Sequence, residues 1–205
     1  MKAEDIIASE DFQKCIDFHG HMCPGLSLGF RASRSGMEWL KTERAADEEI
    51  VAIVETDACC ADAVQVITGC TFGKGNFIYK DHGKMAFAFL NRHSGKGIRF
   101  VLKSDTVPRK NRHLELIEKI QSDTASESER DEFKKLHRER SFEILEKPIE
   151  ALFNVQELNI DLPPKARIEP SEACQGCGEP TMASKLGEVN GKMLCRSCHP
   201  NKPAL

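Results

Sequence analysis

Apolar residues recur at helical spacing in two stretches of the first forty positions. The first covers residues 4–18 and is divided near Ser9, and the second follows Pro24 and Gly25 and continues to about Thr42. Apolar side chains that return every three or four positions form one face of an α-helix. These stretches therefore predict helices on both sides of a turn at residues 19–25.

The pattern then changes to short β-branched and aromatic runs, which are typical of strands. We expect a buried strand at Ile50–Val54, a short helix at 61–68, and an antiparallel meander formed by Phe77–Tyr79, 85–90 and 98–102. Helical spacing returns at 113–120 and 129–147, and residues 149–162 have strand or turn character. The predicted fold class is α+β, with a mixed or antiparallel sheet, packed helices and a small C-terminal treble-clef or zinc-ribbon domain.

Two Cys-x-x-Cys pairs define that small domain. Cys174 and Cys177 are followed by Cys195 and Cys198 at the spacing of a four-thiolate zinc site. Four protein ligands close the coordination sphere, so the predicted zinc is structural, with His199 as a less favoured replacement ligand. The proline-rich stretch before the first pair fixes backbone angles and predicts a stiff linker. The expected domains are a core at 1–162, a linker at 163–172 and a four-cysteine zinc finger at 173–205.

Composition restricts the function classes. Of 205 residues, 40% are hydrophobic and 30% charged, which is typical of a globular domain. The net charge of -3 provides no overall positive field, so nucleic-acid binding is disfavoured. The sequence lacks a signal segment and any apolar run of about 20 residues, so we expect a cytoplasmic protein with no membrane contact. The odd total of nine cysteines favours metal or thiolate chemistry over a disulfide framework.

The predicted turn carries chemistry of its own. His19, His21 and Cys23 lie within five positions, just before Pro24 and Gly25 interrupt the backbone. Imidazole and thiolate are preferred ligands of Zn²⁺ and similar ions, and a thiolate beside a histidine is also the arrangement of a reactive nucleophile. The residues alone leave both interpretations open, together with a structural one in which the histidines and thiols only pack and hydrogen-bond.

Two further motifs follow the first predicted strand. Cys59, Cys60 and Asp62 come where the strand gives way to a helix, and Cys60 is our first choice of site residue there. The glycine-rich loop at 69–76 contains Cys70 and a lysine, but it lacks the spacing of a phosphate-binding loop, so nucleotide binding is disfavoured. His82 and His93 have no partner at ligand spacing, and we expect them to be loop or surface residues.

The three motifs in this order resemble the FmdE family, which takes its name from a component of the molybdenum formylmethanofuran dehydrogenase, an enzyme system of methanogenesis. The resemblance covers about residues 12–152, and the terminal cysteines resemble the family's treble-clef zinc finger. It implies an α+β core, a homodimer, and a cleft in which histidines and cysteines hold a metal. The family's motif positions correspond to His19, His21, Cys23, Cys60, Asp62 and Cys70.

From these positions we expect a core metal site formed by His19, Cys23, Cys60 and Cys70, holding a second transition metal, zinc or nickel, besides the zinc of the finger. The first functional hypothesis is a metal-binding accessory subunit that works with a molybdenum or tungsten enzyme. The sequence has no ferredoxin-like cysteine run and no pterin signature, so the resemblance is to an accessory component and not to the redox centre.

Two alternatives belong to other classes. The chain could be a thiol-dependent or metal-dependent enzyme, with Cys60 or Cys23 as nucleophile, His19 or His21 as base and Asp62 as the orienting carboxylate, so that Cys60, His21 and Asp62 are the catalytic candidates. It could also be a regulatory module that binds protein or nucleic acid through the finger.

Overall fold

The structure is a computed structural model that describes residues 2–104, 106, 108 and 111–199. The chain forms two compact units, residues 1–165 and 166–205, and the division falls inside the predicted linker. The outermost residues of the predicted core and finger, 1 and 200–205, lie outside the described part. In chain order the helices and strands are α1 (Ala3–Ile7), α2 (Glu10–His19), α3 (Pro24–Leu40), β1 (Ile50–Val54), α4 (Cys60–Thr68), β2 (Phe77–Tyr79), β3 (Ala86–Asn91), β4 (Gly97–Leu102), α5 (Asn111–Gln121), α6 (Glu127–Glu146), α7 (Ile149–Leu152), β5 (Phe153–Leu158), β6 (Ser171–Ala173), β7 (Pro180–Met182), β8 (Gly187–Val189) and β9 (Lys192–Leu194).

The first unit is built on a mixed five-stranded sheet with the order β2-β1-β3-β4-β5. Strand β1 is parallel to β2 and antiparallel to β3, and the remaining pairs are antiparallel. All five residues of β1 are at most 6% exposed, because the strand has a neighbour on each side and is covered on both faces. The α+β class with a mixed sheet is confirmed.

The predicted meander is wrong in one respect. β2 does not pair with β3, because β1 lies between them, and Ala52 is the Cα partner of Phe77 in a parallel ladder. The reason is the connection through α4: a strand that returns after a crossover helix runs parallel to the strand before the helix. Only β3, β4 and β5 form the antiparallel part.

One face of the sheet carries the main core. Ile50, Ala52 and Val54 of β1 point to this face, where they pack in the same cluster as buried residues of α1, α2, α3, α4 and α6. The alternate residues Val51 and Ile53 belong to a smaller cluster on the opposite face, which Leu158 and Leu162 help to cover. This alternation is the two-residue period of a strand, and it explains why the run Ile50–Val54 is apolar throughout.

The layer of helices is held together at closely packed glycines. A Cβ atom added to Gly29 of α3 would lie 2.2 Å from the carbonyl oxygen of Cys60, so the two backbones meet there. The break at Ser9 is a helix cap, since its hydroxyl accepts a hydrogen bond from the Phe12 N–H. Helix α3 follows the end of α2 along the chain, and Asp62 in the first turn of α4 contacts His19 at that end.

The second unit consists of two small hairpins, β6–β7 and β8–β9. The turn of the second hairpin joins Val189 to Lys192, and its residues Asn190 and Gly191 have φ values of +52° and +74°. Two consecutive residues with positive φ are the requirement of a tight type I′ turn. Two hairpins and four clustered cysteines confirm a small domain compatible with zinc binding.

Candidate metal centre

The first motif forms the turn between α2 and α3. Helix α2 ends at His19, and Gly20 follows in the left-handed conformation with φ +93°, its N–H bonded to the carbonyl of Ile16 at 2.7 Å. Helix α3 begins at Pro24, with Cys23 as its N-cap. The turn therefore brings side chains from the end of one helix and the start of the next to one place.

A carboxylate from α4 positions His19. The Nδ1 atom of His19 lies 2.7 Å from Oδ2 of Asp62, and its Nε2 atom lies 3.8 Å from the Cys23 sulfur. A carboxylate on one ring nitrogen fixes the tautomer and orients the other nitrogen towards a metal or a reacting group. Asp62 is thus a partner of His19 and has a clear structural reason to be in the motif.

The turn assembles a ligand group. One atom each from His19, His21 and Cys23 lies within 4.8 Å of the other two, and the two imidazole rings are 4.7 Å apart between centroids. Ligand atoms around a tetrahedral zinc-like ion are roughly 3.3–3.8 Å apart, given bond lengths of about 2.0–2.3 Å. The separation of 3.8 Å between His19 and Cys23 fits this range. Two nitrogens and one sulfur suit a borderline divalent ion, so this group can hold a metal.

The Cys23 thiol lies in surroundings that disfavour its ionised form when no cation is bound. Burial raises the pKa of its thiol to about 11, the N–H of Leu26 partly offsets this by donating to the sulfur at 3.3 Å, and the nearby Cys59 raises it further. Without a cation the thiol stays protonated near neutral pH. A bound metal ion would place positive charge beside the sulfur and so stabilise the thiolate form.

Cys59, and not the favoured Cys60, is the cysteine of the second motif that lies beside Cys23. Its Cβ atom would lie 3.1 Å from a Cβ added to Gly25, beside Cys23 at the start of α3. Cys60 has its sulfur 3.6 Å from the carbonyl of Ala58, and burial raises its pKa to about 12. Their positions relative to Asp62 distinguish the two cysteines. Cys59 is three positions before Asp62 and shares its helix face, whereas Cys60 is two positions before it and does not.

Cys70 lies at the opposite end of α4. Its sulfur is 3.4 Å from the carbonyl oxygen of Ile50, and burial raises its pKa. Nine helical residues separate the two ends of α4 by roughly 12–14 Å. The structure therefore does not bring Cys70 to the ligand group on the first motif.

Polar residues of the glycine-rich loop at 69–76 hydrogen-bond to neighbouring loops. The amide of Asn76 is fully buried, accepts from the Thr71 N–H and donates to the carbonyls of Asp47 and Ile50. The Lys74 ammonium lies 3.4 Å from the carbonyls of Ala45 and Ala46. These polar groups hold the loops beside β1, and this gives the glycine-rich loop a structural role.

The four finger cysteines form the second ligand group. Their sulfurs all lie within 4.8 Å of one another. The N–H of Cys195, with those of Cys177 and Gly176, lowers the pKa of Cys174 to about 6, whereas the neighbouring thiols of Cys177 and Cys195 raise the pKa of Cys198 to about 12. Neighbouring thiolates repel one another, and a divalent cation between them offsets this repulsion. The four cysteines therefore also fit a metal.

His82 and His93 lie at the surface of the first unit. The Nδ1 atom of His82 lies 3.1 Å from the carboxylate of Glu55, and half of its side chain is exposed. His93 is an exposed loop residue.

Among helices in the described residues, none has the length and apolar character needed to cross a membrane.

Comparison with known proteins identifies relatives. The family model described as "FmdE, Molybdenum formylmethanofuran dehydrogenase operon" matches residues 18–154. A protein of Archaeoglobus fulgidus named "Probable S-adenosyl-L-methionine-binding protein" is 35% identical over 189 residues, which are 89% of this chain and 50% of that protein. The chain thus spans about half the length of this curated relative.

A solved structure has a similar fold. The crystal structure of a protein from Syntrophus aciditrophicus described as "tungsten formylmethanofuran dehydrogenase subunit e (fmde)-like" matches with a TM-score of 0.58 and 24% sequence identity, covering 99% of this chain and 95% of that one. The structural likeness extends over nearly the whole chain, and the family model covers strands β1 to β4 and all three motifs. The chain belongs to the FmdE family.

Proposed function

We propose that the chain is a metal-binding accessory subunit whose core site holds a transition metal, zinc or nickel, on His19, His21 and Cys23. The observation that carries this proposal is the pair of distances at His19, 2.7 Å to Asp62 and 3.8 Å to Cys23. A histidine oriented by a carboxylate towards a second ligand atom is typical of metal centres. The finger holds a structural zinc on Cys174, Cys177, Cys195 and Cys198.

The set of core ligands differs from the one expected from sequence. His21 replaces Cys60, whose sulfur lies beside a backbone carbonyl, and Cys70 is left out because it lies at the far end of α4. Cys59, beside Cys23, is the residue best placed to add a further sulfur. Three protein ligands leave a coordination position for water or substrate, where a metal supplies Lewis acidity.

The site faces solvent on the side of His21, which is exposed, while Cys23 is buried beneath it. A ligand could therefore approach the site on the side of His21. We infer that the protein acts with a molybdenum or tungsten enzyme, which the names of the family and of the solved structure support. The homodimer is implied by the resemblance to the family and stays a prediction.

Elemental analysis of the purified protein tests the core site. We expect two metal ions per chain in the wild type and one in Cys23→Ala, because the finger keeps its own ion. Cys70→Ala is the matched control, since it also removes a buried thiol but lies outside the ligand group. One metal ion per wild-type chain, or two in Cys23→Ala, would refute the core site.

A second candidate function rests on the same residues without a metal. Asp62, His19 and Cys23 lie in the order of a catalytic triad, and Cys23 stands at the first turn of a helix, where the helix dipole favours a thiolate. Burial works against this function by raising the Cys23 pKa to about 11.

The pH dependence of alkylation by iodoacetamide in metal-free protein separates the two candidates. A nucleophilic Cys23 reacts with a midpoint below pH 7 that rises in Asp62→Asn. A metal ligand reacts slowly below pH 9 and becomes further protected when zinc is added.

A further inference from the structure

A groove of about 730 Å³ runs along α2 in the first unit. Its walls are the outer face of α2, the C-terminal half of α3, the segment at 42–44 and the C-terminal half of α4. Phe18 and Val66 both line it. Phe18 precedes His19, and Val66 follows Asp62 by one helical turn, so the groove begins next to the centre described above.

The groove has an apolar part. Phe18 is 60% exposed although it is a large aromatic residue, and Val66 and Met37 line the same space. A phenyl ring left open beside a concave surface loses favourable burial, and an apolar ligand would restore it. The volume lies within the range of roughly 300–1,000 Å³ found for small-molecule sites.

The groove also has a cationic part. Lys14, Arg34 and Arg44 line it, against the two carboxylates of Asp11 and Glu43. Arg34 is paired with Asp11 at 2.8 Å, and Arg44 donates its Nε–H to the carbonyl of Val66 at 2.8 Å. These bonds fix the guanidinium groups at the wall of the groove.

Lys14 and Arg44 face the same space from opposite walls. The Lys14 ammonium is 2.6 Å from the Glu10 carboxylate on its own helix, and this contact raises the pKa of Lys14. The groove lining carries three cations and two carboxylates, so an anion between Lys14 and Arg44 would balance its charge. The charge distribution therefore complements a negatively charged group below an apolar body.

We propose that this groove binds an organic anion, with its apolar body against Phe18 and Val66 and its carboxylate, sulfonate or phosphate between Lys14 and Arg44. The ligand is a small molecule, because the groove has the volume of a small-molecule site and its cations lie on the wall of a concavity. This inference goes beyond the proposed function and does not require a metal.

The test uses a fluorescent probe of this chemistry, 8-anilinonaphthalene-1-sulfonate, titrated into the folded full-length protein. We expect saturable binding of one probe molecule, weakened about fivefold or more in Phe18→Ala, because an aromatic contact is lost. The control is Phe72→Ala, since Phe72 is 66% exposed and does not line the groove. Equal weakening in both variants, or none in Phe18→Ala, would overturn the proposal.

A charge variant provides an independent readout. Lys14→Gln should weaken the sulfonate probe about threefold and leave the uncharged N-phenyl-1-naphthylamine unaffected, because only the ionic contact is removed. Lys134→Gln is the control, since Lys134 is also exposed and paired with an acidic residue on its own helix. Identical loss for both probes, or no loss in Lys14→Gln, contradicts the anionic part of the proposal. Metal content is counted in every sample, so failure of the groove and failure of the metal centre are told apart.

Discussion

Replacing Gly29 by alanine tests the contact that holds α3 against α4. The added Cβ would lie 2.2 Å from the carbonyl oxygen of Cys60 and 2.8 Å from its C and Cα atoms. Carbon and oxygen atoms in ordinary contact are about 3.5 Å apart, so α4 must move by roughly 1 Å. No side-chain rotation relieves the clash, because all three neighbouring atoms belong to the backbone.

The magnitude follows from two opposing effects. Overpacking a tightly packed interior costs about 1–3 kcal/mol, and a contact between backbones belongs at the upper end. The change from glycine to alanine within a helix returns up to ~1 kcal/mol through helix propensity. We therefore expect Gly29→Ala to lower the free energy of unfolding by about 2 kcal/mol.

The same movement reaches the metal centre. Asp62 is on α4, and its bond to His19 is 2.7 Å long, so a shift of about 1 Å takes the pair outside hydrogen-bonding distance. Loss of a partner that orients a ligand typically weakens metal affinity about 10–100-fold. Both the stability and the metal affinity of the variant should fall.

The assays are urea unfolding and competition for the metal with a chromophoric chelator. Gly73→Ala is the matched control, because a Cβ added there meets nothing within 4 Å. A Gly29→Ala protein with the stability and metal affinity of wild type would refute the close approach of the two helices.

Three further predictions concern other parts of the chain. The buried hydroxyl of Ser33 has no hydrogen-bond partner among the described residues, so Ser33→Ala should leave stability unchanged or raise it by up to ~1 kcal/mol in urea unfolding, and a clear loss would show an unseen partner. Burial alone would raise the pKa of Glu55, but bonds from His82 and Arg99 outweigh it and hold the pKa below the ordinary 4.5. The Glu55 carboxylate therefore stabilises the fold above its unfolded pKa, and this stabilisation is lost as the pH falls through the lower pKa of the folded state. Glu55→Gln should accordingly weaken the dependence of the unfolding free energy on pH at acid pH. An unchanged slope would count against the pairing. Removing metal with excess chelator should abolish amide-exchange protection at 171–199 while the five-stranded sheet stays protected, and retained protection there would show a finger that folds without metal.

Much of the local structure was predictable from the sequence because local patterns determine it. Ser9 capped a helix, Ile50–Val54 formed a buried strand, and Asn190 and Gly191 formed a hairpin turn. Each of these features follows from side-chain spacing or from φ preferences within a few residues. The two Cys-x-x-Cys pairs are local patterns as well, and the fold of the second unit brings their four sulfurs within 4.8 Å of one another.

The order of the strands was not predictable in this way. β2 pairs with β1 and not with β3 because the chain crosses over through α4, and the run Phe77–Tyr79 does not by itself indicate on which side of β1 it returns. The contact of α3 with α4 also joins distant segments, and it occurs at Gly29, where the absence of a Cβ lets the two backbones approach closely.

The candidate site was predicted in part. His19, His21 and Cys23 come together because one turn carries them, whereas the choice between Cys59 and Cys60 depends on the direction of α4. Cys70 belongs to a motif whose polar groups are used within the fold, a role that a motif pattern does not distinguish from ligand binding.

Anomalous scattering from crystals of the metal-loaded protein tests the central claim most directly, with data collected on both sides of the zinc and nickel edges. We predict one peak inside the four finger sulfurs and a second within about 2.0–2.4 Å of ligand atoms from His19, His21 and Cys23. A peak at the finger alone, or a core peak bound by Cys60 or Cys70 in place of the first motif, would contradict this account.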